Sequence, residues 1–297
     1  MTITETPDIQ RSKPLSKGAL YTRRFFRNIP ATIGLGIFVL IAAFAVFGPL
    51  FAKYDYIELD FLALAKGPSA EHWFGTTGSG NDVFAMTVQG LRRSLMIALI
   101  VSTGTTAISA VLGAMAAYLG GWWERVILWV IHFMLAVPAF LIVALVTNGS
   151  GGDWFVLAIM LVAIGWMMLA RTVWTLSLSI RESEFVQAAR YMGVSDFKIV
   201  MRHMIPNMAS LLIINFTLGI IGAVNSETSL SFLGFGVQIP DISLGNLIAT
   251  GANVISSAPW IFLFPGLILT LLTVSMAFVA DGLRDALDPN SVAGGRA

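Results

Sequence analysis

Few residues of this chain are equipped for covalent chemistry. None of its 297 residues is cysteine, which excludes thiol nucleophiles, thiolate metal sites and disulfides. Gly75 and Gly80, in the run Phe74-Gly75-Thr76-Thr77-Gly78-Ser79-Gly80-Asn81-Asp82, stand at the spacing of a phosphate-cradling loop. Such a loop requires Lys and then Ser or Thr after its second glycine, to hold phosphates and magnesium. Those positions are Asn81 and Asp82, so the stretch reads as a glycine-rich turn, and an ATPase working with this chain must be another polypeptide. His132 stands alone within an apolar run, where a packing role outweighs a ligand role. Ser102, Thr103, Thr105, Thr106 and Ser109 cluster in another run, at spacings that favour helix–helix packing over lining a pathway. Asn225, Glu227 and Thr228, at the end of a third run, are more suggestive. An ionisable group at a membrane edge is a candidate for function, here a gate or pathway, against the alternative of a hydrated interfacial side chain.

The elements that must position these residues are set by composition. The chain is 56% hydrophobic and 12% charged, with mean hydropathy +0.79, where a soluble domain is nearer half apolar and a quarter charged. Six apolar runs, at 31–51, 95–119, 126–146, 154–170, 208–224 and 260–280, are long enough to cross a bilayer. The first is read as an uncleaved span: although Ala43-Phe44-Ala45 could pass for a signal cleavage site, the leader would be too long and the apolar run continues past it. Pro138 and Pro265 are placed to kink their spans. The formal charge of +1 gives no electrostatic reason to expect nucleic acid as a partner.

With the N-terminus inside, the outer side receives only Lys53, Lys66, Arg92 and Arg93, leaving 14 of the 18 Lys and Arg residues on the cytoplasmic side. This satisfies the positive-inside rule, and Trp122, Trp123, Trp154 and Trp260 fall near span ends, as interfacial anchors do. The expected organisation is a cytoplasmic tail at 1–30, a leading span at 31–51, an extracytoplasmic loop at 52–94, a core at 95–281 and a cytoplasmic tail at 282–297.

The longest polar island of the core lies inside, at about 181–207. Within it, Glu184-Phe185-Val186-Gln187-Ala188-Ala189-Arg190-Tyr191-Met192-Gly193 reads as a short helix stopped by a glycine that accepts positive φ. Ser195 is placed to cap a second helix and Pro206 to close it. The Ala188-Ala189 pair leaves a shallow surface that another protein can approach closely.

This island resembles the "EAA" loop of ABC-importer permeases, the coupling helix that docks into an ATPase subunit. The resemblance assigns Glu184, Phe185, Gln187, Ala188, Ala189, Arg190, Gly193 and Pro206 to coupling. Gln187 departs from the family's Glu, keeping size and losing charge. Glu227-Thr228-Ser229-Leu230-Ser231-Phe232-Leu233-Gly234-Phe235-Gly236, Ser243-Leu244-Gly245-Asn246, Ala258-Pro259-Trp260, Phe264-Pro265-Gly266 and Asp281-Gly282-Leu283-Arg284-Asp285 resemble the permeases of the dipeptide, oligopeptide and nickel group. Phe74-Gly75-Thr76 with Gly80 and Asp82 does the same. The N-terminal tail and extra leading span are similar to those of that group's C-type subunit.

The resemblance implies an all-α, polytopic membrane protein of the type I ABC-importer permease kind, with six transmembrane helices. It also implies alternating access between this chain and a second homologous permease. Two ATPase subunits would carry ATP and magnesium, an extracytoplasmic binding protein would deliver substrate, and this chain would bind no cofactor and catalyse nothing. Peptides are the expected cargo, with nickel chelates or another small solute as alternatives. A self-contained ion-coupled carrier is the rival from another class, but it would call for ionisable groups near the bilayer midplane and for internal repeats. An ATPase-linked membrane assembly with no transport role is a third reading.

Overall fold

The computed structural model describes residues 17–288; Arg11, Lys13 and Arg296, counted in the charge balance above, lie outside that range. Thirteen consecutive helical segments carry the described chain, and its one β-bridge is the isolated pair Thr76–Asp82. Helix α1 is Lys17–Arg27 and α2 is Ile29–Phe51, separated by Asn28, whose Oδ1 caps α2 by accepting from Ala31 N at 3.1 Å. Pro30, in the first turn of α2, lacks an N–H that would have had no intrahelical partner anyway.

Helix α3 (Val83–Leu119) is the spine of the molecule. It begins at Val83 and not near residue 95, so the extracytoplasmic loop is shorter than its polar composition suggests. Gln89, Arg92 and Arg93 break the apolar run without breaking the helix, because Asp82 Oδ1 caps it through Ala85 N at 2.8 Å. The expected third span is two helices, α4 (Gly121–Ala136) and α5 (Ala139–Gly149), bent by 79°. Pro138 lacks the donor that would continue the ladder, and Val137 before it is extended (ψ 135°). Among the described residues five helices are long and apolar enough to cross a membrane, or six if α4 and α5 form one broken span.

Helix α6 (Trp154–Arg181) packs along one side of α3. The approach is close: a Cβ on Gly113 would lie 2.5 Å from Ala170 O and 2.9 Å from Val173 Cβ. Ser109 Oγ donates to Trp166 O at 2.6 Å, and Ser102 Oγ donates to Phe216 O on the other flank of α3. Both serines are fully buried, so the hydroxyl cluster does join helices as expected. His132 instead is exposed on α4, and no neighbour within the described chain buries it.

The polar island folds as α7 (Glu184–Tyr191) and α8 (Asp196–Ile199). From α8 the chain runs through a π-helical turn, Val200–Met204, and a 3₁₀ turn, Ile205–Met208, into α9 (Ala209–Phe232). Pro206 therefore does not end a helix. Its missing N–H falls where the α-ladder has already been widened and then tightened, so the rod continues past it. Helix α10 (Leu244–Asn253) is short and packs on α3, α9 and α11 (Trp260–Leu287). Helix α2 lies against α11, with Gly34 seated on Phe278 and the Ser275 carbonyl.

Candidate functional site

Helix α7 ends in a Schellman closure: Val194 N donates to Ala189 O at 3.1 Å and Gly193 N to Arg190 O at 3.0 Å, with Gly193 at φ +74°. No side-chain bond caps either α7 at Ser183 or α8 at Ser195, contrary to the capping expected of Ser195. The helix is fixed by its inner face instead. Val186 and Ala189 are buried with Ala114, Val173, Ile199, Val200, Met204 and Met208, toward the C-terminal ends of α3 and α6. Gln187 Nε2 donates to Arg181 O at 3.3 Å, while Arg181 Nη1 holds Ala117 O at 2.8 Å.

The two alanines thus part company. Ala189 is 1% exposed and packs inward, so it is not at the point of closest approach for an incoming partner; Ala188 is exposed. Glu184, Phe185, Arg190, Tyr191 and Met192 face outward with it, joined by Phe197 of α8. Tyr191 and Met192 are 86% and 75% exposed. Large apolar side chains are thus gathered at the tip of a polar loop, an exposed patch of the kind that serves interaction.

A groove runs along the membrane-spanning helices. Its outer part is a cavity of about 550 Å³ lined by Thr105 of α3, Phe140 of α5, Gly165 of α6, and Gly222, Asn225 and Ser229 of α9, among others. Its inner part, about 630 Å³, is lined by Met168, Arg171, Thr172, Thr175 and Ser179 of α6 with Leu211 of α9. Leu161, Gly165, Met168, Thr172, Thr175 and Ser179 follow one another at three- and four-residue steps, which is one face of α6. Leu211, Gly222 and Ser229 are whole turns apart on α9 and also share a face. The two cavities are therefore sections of one seam.

Of the three residues expected at the gate, only Asn225 lines this cavity; Thr228 Oγ1 turns back to Val224 O at 2.9 Å. Glu227 points the other way and is fully buried. Its Oε1 accepts from Ser231 Oγ at 2.8 Å and from Ser243 Oγ at 2.5 Å, and Ser243 Oγ in turn accepts from Asn246 N at 3.0 Å to cap α10. Oε2 has no hydrogen-bond partner among the described residues and faces Gly245, where a Cβ would lie 2.7 Å from it. Leu244 N donates to Ser94 Oγ at 3.0 Å. Glu227 is thus the buried pin that joins α9 to α10, and it is no hydrated interfacial group.

The loop at 52–82, expected to be extracytoplasmic, is a folded cap. His72, 2% exposed, lies between Asp82 (Nδ1 to Oδ2, 2.8 Å) and Asp60 (Nε2 to Oδ2, 3.4 Å) and stacks on Tyr54. Trp260 Nε1 donates to Thr76 O at 3.0 Å, and the Phe74 and Phe264 rings stack at 4.0 Å. Gly75 and Gly80 make the turns of this cap, with no cradle of free N–H groups: Gly80 N donates to Thr77 O and Gly75 N to His72 O. The Leu62 N–H on Asp60 Oδ1 (2.8 Å), with His72 on the other oxygen, holds the Asp60 carboxyl below the usual carboxylate range. Among the described residues no group of three or more His, Asp or Glu is arranged to hold a metal ion.

The sequence reading passed over three contributors. Ser94 carries no signal distinguishing it from any other serine, and Ser243 entered only within a stretch of family resemblance, with no role of its own. Arg93 ion-pairs with Asp241 and lies 4.3 Å over the Trp154 ring, and an arginine just before an apolar run reads equally well as a flank.

Five or six membrane-crossing helices around a seam, with an exposed apolar patch at one end, define a polytopic membrane protein. Residues 109–291 match the family described as binding-protein-dependent transport system inner membrane component, and residues 17–68 match the N-terminal transmembrane domain of oligopeptide transport permease C. The chain belongs to that inner-membrane component family and is a multi-pass membrane protein. It is 44% identical over 278 residues to the oligopeptide transport system permease protein OppC of Mycobacterium tuberculosis H37Rv, covering 93% of this chain and 96% of the relative. The dipeptide transport system permease protein DppC of Alkalihalophilus pseudofirmus is 35% identical, with 89% and 86% covered. A peptide permease protein of Brucella suis, named as putative, is 34% identical, with 95% and 94% covered.

Proposed function

We propose that this chain is one permease subunit of an ATP-driven peptide importer, paired with a second, homologous permease across the α6–α9 seam. Two ATPase subunits carrying ATP and magnesium work from the cytoplasm, and an extracytoplasmic binding protein delivers substrate. The observation that carries this reading is the α7–α8 surface, where Phe185, Ala188, Tyr191, Met192 and Phe197 face outward while Val186 and Ala189 are locked onto the ends of α3 and α6. A force applied to that surface reaches the membrane helices through packed side chains. ATP-driven closure of the ATPases would move α7, and the spans would rock to open the seam outward. The chain itself supplies a path and a linkage and performs no covalent step.

The lining of the outer cavity supports a peptide cargo. Gly165, Gly219, Gly222, Asn225 and Ser229 are small and neutral, suited to passing main-chain amides of varied sequence, and a bare nickel ion would find no His or carboxylate ligand there. The relatives named for oligopeptide and dipeptide transport support the same cargo. Asn225 stands at the gate itself, and Glu227, behind it, holds α10 in place.

A Cβ on Gly222 meets nothing within 4 Å in the described chain, so Gly222→Phe would project into the seam. In proteoliposomes holding the complete complex, this variant should abolish uptake of labelled peptide while leaving assembly and thermal stability unchanged. Unaltered uptake removes the seam as the route. Uptake driven by an ion gradient without ATP would replace the importer with a carrier, and uptake of chelated nickel alone would change the cargo.

A further inference from the structure

Helix α1 has the sequence Lys-Gly-Ala-Leu-Tyr-Thr-Arg-Arg-Phe-Phe-Arg, with four cations and no acid. Its side chains divide by direction. Phe25 is buried against the inner end of α11, beside Ala31, Val279, Ala286 and Gly282. Arg24 Nη1 reaches Asp288 O at 3.3 Å, and Asn28 Nδ2 donates to Asp285 Oδ2 at 2.8 Å. These contacts fix α1 beside the cytoplasmic ends of two membrane-crossing helices, α2 and α11.

The remaining faces have no occupant within the described chain. Phe26 is 54% exposed. Arg23 and Arg27, one turn apart and both exposed, make no ion pair or side-chain hydrogen bond among the described residues. An exposed aromatic beside a one-turn arginine pair, held at the level where a span leaves the hydrocarbon, has the composition of an interfacial membrane helix. Arginine forks match phosphate geometry, and like charges at i and i+4 repel unless an anion lies between them.

We propose that α1 is an inner-leaflet docking element: Phe26 enters the acyl boundary, and Arg23 with Arg27 binds the phosphate groups of anionic phospholipids. The committed occupant is the lipid surface and not an acidic face of an ATPase subunit. Anionic lipid would then hold α1, and through Phe25 the α2–α11 pair, in a fixed register.

The cysteine-free sequence makes the test direct. A Thr22→Cys full-length chain, carrying an environment-sensitive dye, is placed in vesicles of phosphatidylcholine alone or of phosphatidylcholine with phosphatidylglycerol. The docked-to-undocked ratio should rise with phosphatidylglycerol, fall with added salt, and drop by about five-fold for each of R23Q and R27Q. Phe26→Ser should weaken docking in both vesicle types, and R23K with R27K should retain most of the lipid dependence. Equal docking in the two vesicle types, or indifference to R23Q and R27Q in chains that still insert, would overturn the proposal. So would protection of position 22 that appears only when ATPase subunits are added.

Discussion

Ser243 Oγ lies 2.5 Å from Glu227 Oε1 and also caps α10 through Asn246 N. One hydroxyl therefore links a carboxylate inside α9 to the first turn of a helix at the outer end of the molecule. Glu227→Ala leaves Ser231 and Ser243 without their acceptor inside a packed site. Leaving buried donors without their acceptor costs about 1–3 kcal/mol, which should appear as a lower unfolding temperature of the detergent-purified chain. Glu227→Gln keeps an acceptor oxygen for the two serines and replaces Oε2 with an amide NH₂. In the assembled complex it should raise ATP hydrolysis in the absence of substrate. It should leave substrate preference unchanged, because Glu227 does not line the seam. A changed preference with normal basal hydrolysis would make it a recognition residue.

The neighbouring alanines of α7 should fail in different ways. Ala188→Trp projects outward and should abolish association with the ATPase subunits while leaving the unfolding temperature intact. Ala189→Trp must fit into a space that is already filled, and overpacking costs about 1–3 kcal/mol, so it should destabilise the chain itself. Pull-down with the ATPase and a thermal melt separate the two, and identical behaviour would contradict the division of faces.

Gly193→Val places a β-branched residue at φ +74°, at a cost of about 1–2 kcal/mol. Nothing lies within 4 Å of the added Cβ, so the penalty is conformational and should fray the end of α7. Uptake should become uncoupled from hydrolysis in a chain that still inserts, whereas Gln187→Glu, whose side chain lies half-buried beside Arg181, should be tolerated.

Acid should loosen the outer cap. Asp60 has a folded-state value below its unfolded one, so its contribution is fully present above about pH 4 and is lost as pH falls through the lower, folded value. Hydrogen exchange across residues 60–82, corrected for its intrinsic pH dependence, should accelerate in that range. Asp60→Asn should exchange faster at neutral pH and lose that part of the acid response.

Labelling should report the orientation of the chain. A cysteine at Ser69 is expected to react with an impermeant reagent from outside, and one at Ser195 only after the inner face is opened. Outside reaction at Ser195 would reverse the chain and remove the ATPase from reach of α7.

The membrane class, the leading span and the two-helix polar island were legible because each is written in a contiguous pattern: long apolar runs, and a glycine at a helix stop. The depth of α3 was not, since Arg92 and Arg93 lower the local hydropathy while a cap at Asp82, which only structure reveals, extends the helix past them. Glu227 was legible as unusual but not as inward-facing. Asn225 and Glu227 are two residues apart on a helix and therefore point to different sides, and which side is the seam depends on where α3 lies. Trp260 read as an interfacial anchor and proved to donate to the cap at Thr76.

The irregular turns between α8 and α9 have a mechanical consequence. Residues in a 3₁₀ turn rise about 2.0 Å each and residues in an α-helix about 1.5 Å. If Ile205–Met208 relaxed to α geometry, the rod would shorten by about 2 Å. The adjoining π turn at Val200–Met204 holds a spare residue per turn that can take up the accompanying rotation, and Pro206 has no amide bond to give up. The connection between α8 and α9 thus joins one underwound turn to one overwound turn, a geometry with room to change length.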